Sequence, residues 1–405
     1  LRLVTVGNVM GRGNLDLNVV QEILNKTKEE VENMHPVNIL LAGKTGVGKS
    51  TLINNVFRER MAETGIGKPI TKHLRRIAKE GMPIVLYDTR GLELGHPIQT
   101  EVKREIIEVI NQSQKEGSDK AIHLVYYCIN AHSSRIEESE IAFMEELSGL
   151  LPVLIVLTQS IGQPANELKK YIENLNLPIA GILNVMAEPY AITDELVIPQ
   201  SGLKELIERT FAVLPEETKE AFNNAQQVDI ARKAKASRSW ATKYIVTTFG
   251  VGFTPIPFSD ATVLVPMQIG MLAHITAIFG ISIDKATITS VIGAVGGTGG
   301  ATYLGRYIVS NLLKMIPGAG TIVGGVISGA TAAVLTTALA MSYIEVLSIV
   351  AKGEKDGKYP DLSNIETLMR EKMQERLKMG TKNQDVKEVL ENLKKSNPLK
   401  KWLKK

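Results

Sequence analysis

A single cysteine, Cys128, stands in the whole chain, which excludes an intrachain disulfide and points to a reducing, cytoplasmic compartment. It falls within the apolar run 122–129 and reads as a core residue. Charge of one sign is equally scarce. Lys and Arg number 47 against 43 Asp and Glu, a net of +4 over 405 residues, too little for a surface that binds nucleic acid broadly. No nucleic-acid partner is expected. Residues 1–16 lack an initiator Met and the basic, apolar and small-residue order of a signal peptide, so they read as the start of a fragment and receive no function.

What basic excess exists is local. From residue 351 onward fifteen basic residues face nine acidic ones. The last twelve positions carry six lysines and no acid, with Trp402 and two leucines between them. That composition suits an anionic lipid surface or a solubilising tail. Stretch 361–393 alternates charges at helical spacing and is expected as a solvent-exposed helix. Formal charge vanishes over the thirty residues 315–344, long enough to cross a bilayer core of about 30 Å. Gly293/Gly297, Gly320/Gly324 and Gly325/Gly329 place small residues four apart, a pattern for close helix approach. Segments 254–260 and 316–321 each break a helix before an apolar run, as two copies of one loop–helix unit would. A compact helical domain with a buried hairpin and a membrane-docking domain both fit these features.

Glycine is what the chain has where chemistry is expected. Gly43, Gly46 and Gly48 punctuate Gly43-Lys44-Thr45-Gly46-Val47-Gly48-Lys49-Ser50, directly after the apolar run 37–42. The spacing lets successive backbone N–H groups converge on one phosphate, because these positions tolerate angles that a Cβ forbids. Lys49 is then aimed at the β and γ phosphates, Ser50 at Mg²⁺, and the helix opening at Thr51 adds its positive end. Downstream, the apolar strand 83–87 ends in Asp88-Thr89-Arg90-Gly91. Asp88 sits where a water-mediated Mg²⁺ contact is needed, and Gly91 where backbone approaches a γ phosphate. Thr71, in the flexible stretch between the two motifs, is a candidate second hydroxyl for the metal. Lys49, Thr71 and Gly91 are the candidate catalytic positions, and Ser50, Thr71 and Asp88 the candidate metal ligands.

This set of motifs resembles the Era-like branch of the small GTPases over roughly residues 36–215. The likeness implies GTP or GDP as ligand, Mg²⁺ as cofactor, and a mostly parallel sheet with helices on both faces. Two departures stand out. The base-reading motif of that family is Asn or Thr, Lys, any residue, Asp; here the strand 153–157 ends in Thr158-Gln159-Ser160-Ile161. Strict guanine specificity is therefore not implied. Ala187 and Glu188, after the last strand, are candidates to cover the base, with Glu188 able to substitute for the absent carboxylate. Leu92 follows the DTRG glycine, where many GTPases carry a water-orienting Gln, so slow intrinsic hydrolysis is expected. Acceleration would come from a partner, from a dimer across the nucleotide, or from Arg90, Lys68 or Arg75.

The following region, about 225–350, resembles the glycine-rich helical domain of the YcjF-like family, and the whole plan more loosely resembles immunity-related and dynamin-like GTPases. The implied organisation is an N-terminal segment with a helix (1–35) packed on the nucleotide domain, an α/β P-loop domain (36–215), an all-α glycine-rich domain (216–350) and a charged tail (351–405). The expected function is a GTP-binding, GTP-hydrolysing switch at a membrane, peripheral or inserted, with nucleotide-dependent self-association. A relaxed-specificity NTPase and a module that holds nucleotide without efficient turnover are the alternatives.

Overall fold

Runs of Val, Ile and Leu without polar alternation are what a strand covered on both faces requires. Strands β1 (Val37–Ala42) and β6 (Val153–Thr158) are buried at every position, as the continuous runs dictate. The computed structural model describes residues 17–90, 92, 96–133, 136–250, 256–257, 261–281, 285–296, 326–327, 329–358, 360–379 and 384–396. They divide into two compact units. One is Val31–Asp229; the other joins the chain up to Glu30 with the chain from Ile230.

The chain begins with α1 (Leu17–Glu32), nearly all of it in the second unit; the elements of the first unit are then, in chain order, β1, α2 (Lys49–Val56), α3 (Met61–Thr64), β2 (Ile66–Pro69), β3 (Leu74–Ala78), β4 (Ile84–Thr89), α4 (His96–Lys115), β5 (Leu124–Asn130), α5 (Glu138–Ser148), β6, α6 (Gly162–Asn174), β7 (Gly181–Val185), the short hairpin β8 (Tyr190–Ala191) and β9 (Val197–Ile198), α7 (Leu203–Val213) and α8 (Lys219–Ala225). The seven-stranded sheet runs β2-β3-β4-β1-β5-β6-β7. Pairs from β4 through β7 are parallel, and β2 and β3 add an antiparallel edge. Period-two alternation sends Val37, Ile39 and Leu41 to one core with α2, α7 and α8, and Leu40 and Ala42 to the other with α4, α5 and α6. The sheet's order reverses at β1, between β4 and β5, and in doubly wound sheets ligands bind outside the strand C-termini at that point. A polar buttress stands at the opposite end of β1. The Asn38 amide donates to the carbonyls of Asp119 (2.9 Å) and Ala121 (2.8 Å), and its backbone N–H to His123 Nδ1 at 3.0 Å.

The second unit is helical: α1, α9 (Ile230–Gly250), α10 (Ala261–Phe279), α11 (Lys285–Gly296), α12 (Gly329–Lys355), α13 (Leu362–Met379) and α14 (Gln384–Ser396), with a two-stranded ladder of β10 (Ile256–Pro257) and β11 (Val326–Ile327). Two sequence expectations are corrected here. The first helix, expected to pack with the nucleotide domain, belongs to the helical unit instead: its stripe Val19, Val20 and Ile23 joins the helical core. The tail helix is not a solvent-exposed one either. Ile365, Met369, Met373 and Leu377 recur every four residues along α13 and are all buried, as is Val389 of α14. Charge alternation on the outer face masked this apolar seam. Some of the buried polar groups in the unit pair with one another or with the backbone: Thr276 and Tyr343 share a 2.7 Å hydrogen bond, and the Lys233 ammonium donates to the Phe279 carbonyl at the end of α10.

The residues from 333 to 355 of α12 are long and apolar enough to cross a membrane, and 78 % of their most apolar window is buried within the structure. The segments 254–260 and 316–321 (except Ile256–Pro257), Gly297, Gly320, Gly324 and Gly325, and the basic end 397–405 lie outside the described residues.

Candidate functional site

At the C-terminal end of β1 the chain turns through Gly43, Gly46 and Gly48, with φ of +137°, +81° and +94°. All lie in the region that favours glycine. Gly43 has a second reason to lack a side chain: a Cβ there would come within 2.4 Å of the Cys128 carbonyl oxygen on β5. The loop is tethered outward by Lys44, whose ammonium donates to Glu137 (3.1 Å) and Glu140 (3.0 Å) at the start of α5. Burial lowers the Lys44 pKa, but the two carboxylates outweigh it and raise the pKa overall. Cys128 itself is fully buried, its thiol pushed up to about 12 chiefly by burial, and is chemically inert.

Gly48 caps α2, and Lys49 is the first residue of that helix. Its side chain is buried, the ammonium donating to the carbonyls of Gly43 (2.7 Å) and Lys44 (3.0 Å). Both partners are neutral carbonyls, so neither competes with an anion for the ammonium as a carboxylate would. Ser50 is exposed and Thr51 half-buried on the same turn. Asp88, near the end of β4, pairs in register with Leu41 of β1 and Arg75 of β3. Burial raises its pKa, and the charges of Lys49, Arg90 and Arg75 oppose the rise. The donor set fits a magnesium nucleotide: a glycine loop free to turn its amides inward, a buried ammonium, a helix N-terminus, a hydroxyl and a carboxylate.

Thr71 lies at the turn between β2 and β3, where its hydroxyl accepts from the amides of His73 (3.2 Å) and Leu74 (3.1 Å). Gly91 lies outside the described residues. Leu92 is 3 % exposed and packs in the core with α4, its carbonyl accepting from Gln99 at 2.7 Å. It turns no polar group toward a nucleotide.

Beside the loop lies a cavity of about 430 Å³ that brings Gly48 and Thr51 together with Thr158, Gln159, Ala187 and Glu188. Thr158 closes on the loop by donating to the Val47 carbonyl, with a second bond to Ile129 O at 3.2 Å. Gln159 has a left-handed backbone, φ +53°, and its side-chain carbonyl accepts from Asn130 at 3.2 Å. Ala187 is fixed by Gln200, whose amide donates to its carbonyl at 2.6 Å. Glu188 is exposed at the rim. Four strand ends thus supply one pocket of a size that holds a small ligand.

Sequence reasoning missed His132, Tyr190 and Ile192, which line the same cavity together with Ile161 of the base-reading position and Met186 of the segment after the last strand. His132 carries a signal that could have been used: it lies two residues beyond the C-terminus of β5, on the ligand side of the sheet. Tyr190 and Ile192 come from the β8–β9 hairpin and had no motif to mark them.

Comparison with known proteins gives the same answer for this unit. The profile described as "50S ribosome-binding GTPase" matches residues 38–159. Cell division control protein 11 of Encephalitozoon cuniculi is 26 % identical over 143 residues, 32 % of this chain and 54 % of that protein. GTPase Era of Caldanaerobacter subterraneus is 25 % identical over 184 residues, 44 % of this chain and 55 % of that protein. GTPase Der of Nautilia profundicola is 30 % identical over 129 residues, 31 % of this chain and 26 % of that protein. The chain spans about half, or less, of these relatives' own length. The matched region is a P-loop GTPase domain, of the kind that binds GTP or GDP with Mg²⁺ and hydrolyses GTP.

Proposed function

We propose, from a P-loop GTPase domain as premise, that the protein is a slow GTP-hydrolysing switch whose helical unit works at a membrane surface. The observation that carries the switch reading is the Lys49 ammonium, buried beneath a loop of three positive-φ glycines and bonded to carbonyls alone. In this reading Lys49 meets the β and γ phosphates, and Ser50, Thr71 and Asp88 surround Mg²⁺. Gly91 approaches the γ phosphate. Thr158, Gln159, Ala187 and Glu188 hold the nucleoside. Slow turnover follows from Leu92, a core residue that orients no water. The missing group is expected from a partner or a second copy. Single-turnover hydrolysis with and without added partner surfaces tests this: a fast intrinsic rate at low protein concentration contradicts it.

The membrane part rests on charge and burial. The helical unit resembles a glycine-rich domain of the YcjF-like kind in sequence, and its longest apolar helix is mostly buried within the structure. Peripheral docking therefore fits better than permanent spanning, with the lysine-rich end supplying attraction to anionic lipid. Co-sedimentation with anionic and neutral vesicles, at low and high salt, is the test. Equal binding to neutral vesicles in high salt would overturn the electrostatic account.

A further inference from the structure

Outside the nucleotide site, one cluster of side chains has no account in the chemistry above. His73, in the turn that enters β3, faces Glu101 and Glu105 on α4, and one ligand atom from each of the three lies within 4.8 Å of the others. Glu101 and Glu105 are four apart on the helix and so share a face. Two like charges in that arrangement repel unless a cation lies between them. Among the described residues no lysine or arginine fills that role. Arg104 turns to Glu108 (3.8 Å), and the Lys103 ammonium donates to the Ser139 carbonyl.

His73 is the second and independent observation. It is 7 % exposed, and its Nε2 is buried with no hydrogen-bond partner, a state that buried polar atoms rarely keep. The rest of the residue is held firmly. Its amide donates to Thr71 Oγ1 at 3.2 Å and to the Glu105 carboxylate at 3.3 Å, and its carbonyl accepts from the Arg90 amide at 2.9 Å. The backbone of the residue is thus held, and the buried ring keeps the lone pair or N–H of Nε2 unspent.

We propose that His73, Glu101 and Glu105 bind a first-row divalent transition ion, best matched by Zn²⁺, at a site separate from that of the nucleotide's Mg²⁺. One neutral imidazole and two carboxylates cancel the charge of the ion. Mixed nitrogen and oxygen donors favour zinc and its neighbours, whereas Mg²⁺ and Ca²⁺ select all-oxygen sites. Three protein ligands leave a fourth tetrahedral position for water. Donors on one tetrahedral zinc lie roughly 3.4 Å apart, from metal–ligand distances near 2.0–2.2 Å. Torsion of the two half-exposed glutamates closes the present spacing. The bound ion ties the Thr71-bearing turn to α4.

The test uses the full chain, stripped of metal by a chelator and held in excess Mg²⁺, with Zn²⁺ alone as the probe. One equivalent of Zn²⁺ is expected to bind per chain and to raise Tm. Glu101→Gln and Glu105→Gln, which keep shape and remove charge, should each weaken Zn²⁺ at least tenfold and abolish its effect on Tm. His73→Asn should do the same. Each variant's own melting curve without zinc is its reference, so an altered starting stability does not obscure the result. Absence of Zn²⁺ binding by the parent protein, or an equal zinc-induced rise in Tm in both glutamine variants, overturns the site.

Discussion

A Cβ at Gly43 would lie 2.4 Å from the carbonyl oxygen of Cys128, and no side chain can be accommodated there without moving β5 away from the phosphate loop. Gly46 offers the contrast: its φ is +81°, but a Cβ would meet nothing within 4 Å. Gly46→Ala should therefore cost only the backbone term, about 1–2 kcal/mol. Gly43→Ala adds a backbone clash to a φ of +137°. It should lower nucleotide affinity at least tenfold more than Gly46→Ala does, measured by fluorescent GDP titration.

Base discrimination should be weak. Ile161 lines the cavity where the resembling family places a carboxylate, and Glu188 at the rim is the nearest acid lining it. Sites that read a base by buried hydrogen bonds discriminate by about 10⁴–10⁵. Competition between GTP and ATP should show less than about a thousandfold preference for GTP. A larger ratio would mean that another group reads the base, and Glu188→Ala should then collapse it.

His123 makes the GTPase domain sensitive to acid. Burial lowers its pKa below the ordinary 6.5, and its Nδ1 accepts from the Asn38 backbone N–H, so the folded state favours the neutral ring. The unfolded chain binds the proton more readily. Stability is thus complete above about pH 6.5 and falls as pH drops toward the lowered folded-state value. His123→Asn places an oxygen acceptor near the same position without titrating. Its denaturation midpoint should fall less between pH 7.5 and 5.5 than that of the parent protein.

The two lipid-facing proposals separate by salt. Removing residues 394–405 should weaken binding to anionic vesicles mainly at low ionic strength, because screening acts over about 8–10 Å. Val334, half-buried on α12, tests insertion. A glutamate there costs about 2.5–3.5 kcal/mol if the helix enters hydrocarbon. Loss of vesicle binding in all salts with a well-folded variant would favour insertion. Aggregation without lipid would identify α12 as a soluble core helix.

How much of this was legible depends on how local the signal is. The phosphate loop, Lys49 and Asp88 were readable because contiguous residues write that motif, and strands β1 and β6 because burial on both faces needs unbroken apolar runs. The cavity beside the phosphate loop was readable at Gly48, Thr51, Thr158, Gln159, Ala187 and Glu188. His132, Tyr190 and Ile192 reach it from other strand ends and a hairpin, which no spacing encodes. In α13 the pattern was present but misread: Ile365, Met369, Met373 and Leu377 form a four-residue stripe that the surrounding charges obscured. The His73, Glu101 and Glu105 cluster joins residues from two elements, and only the fold brings them together.

The central claim is that Lys49 serves a nucleotide phosphate, and titration of fluorescent GTP into the parent protein and Lys49→Ala tests it most directly. Each charge-assisted hydrogen bond lost is worth about 1.5–3 kcal/mol, and Lys49 is aimed at two phosphates. The variant should bind at least a hundredfold more weakly while remaining folded in the absence of nucleotide. Equal affinity in the two proteins would contradict the assignment of this loop and the function built on it.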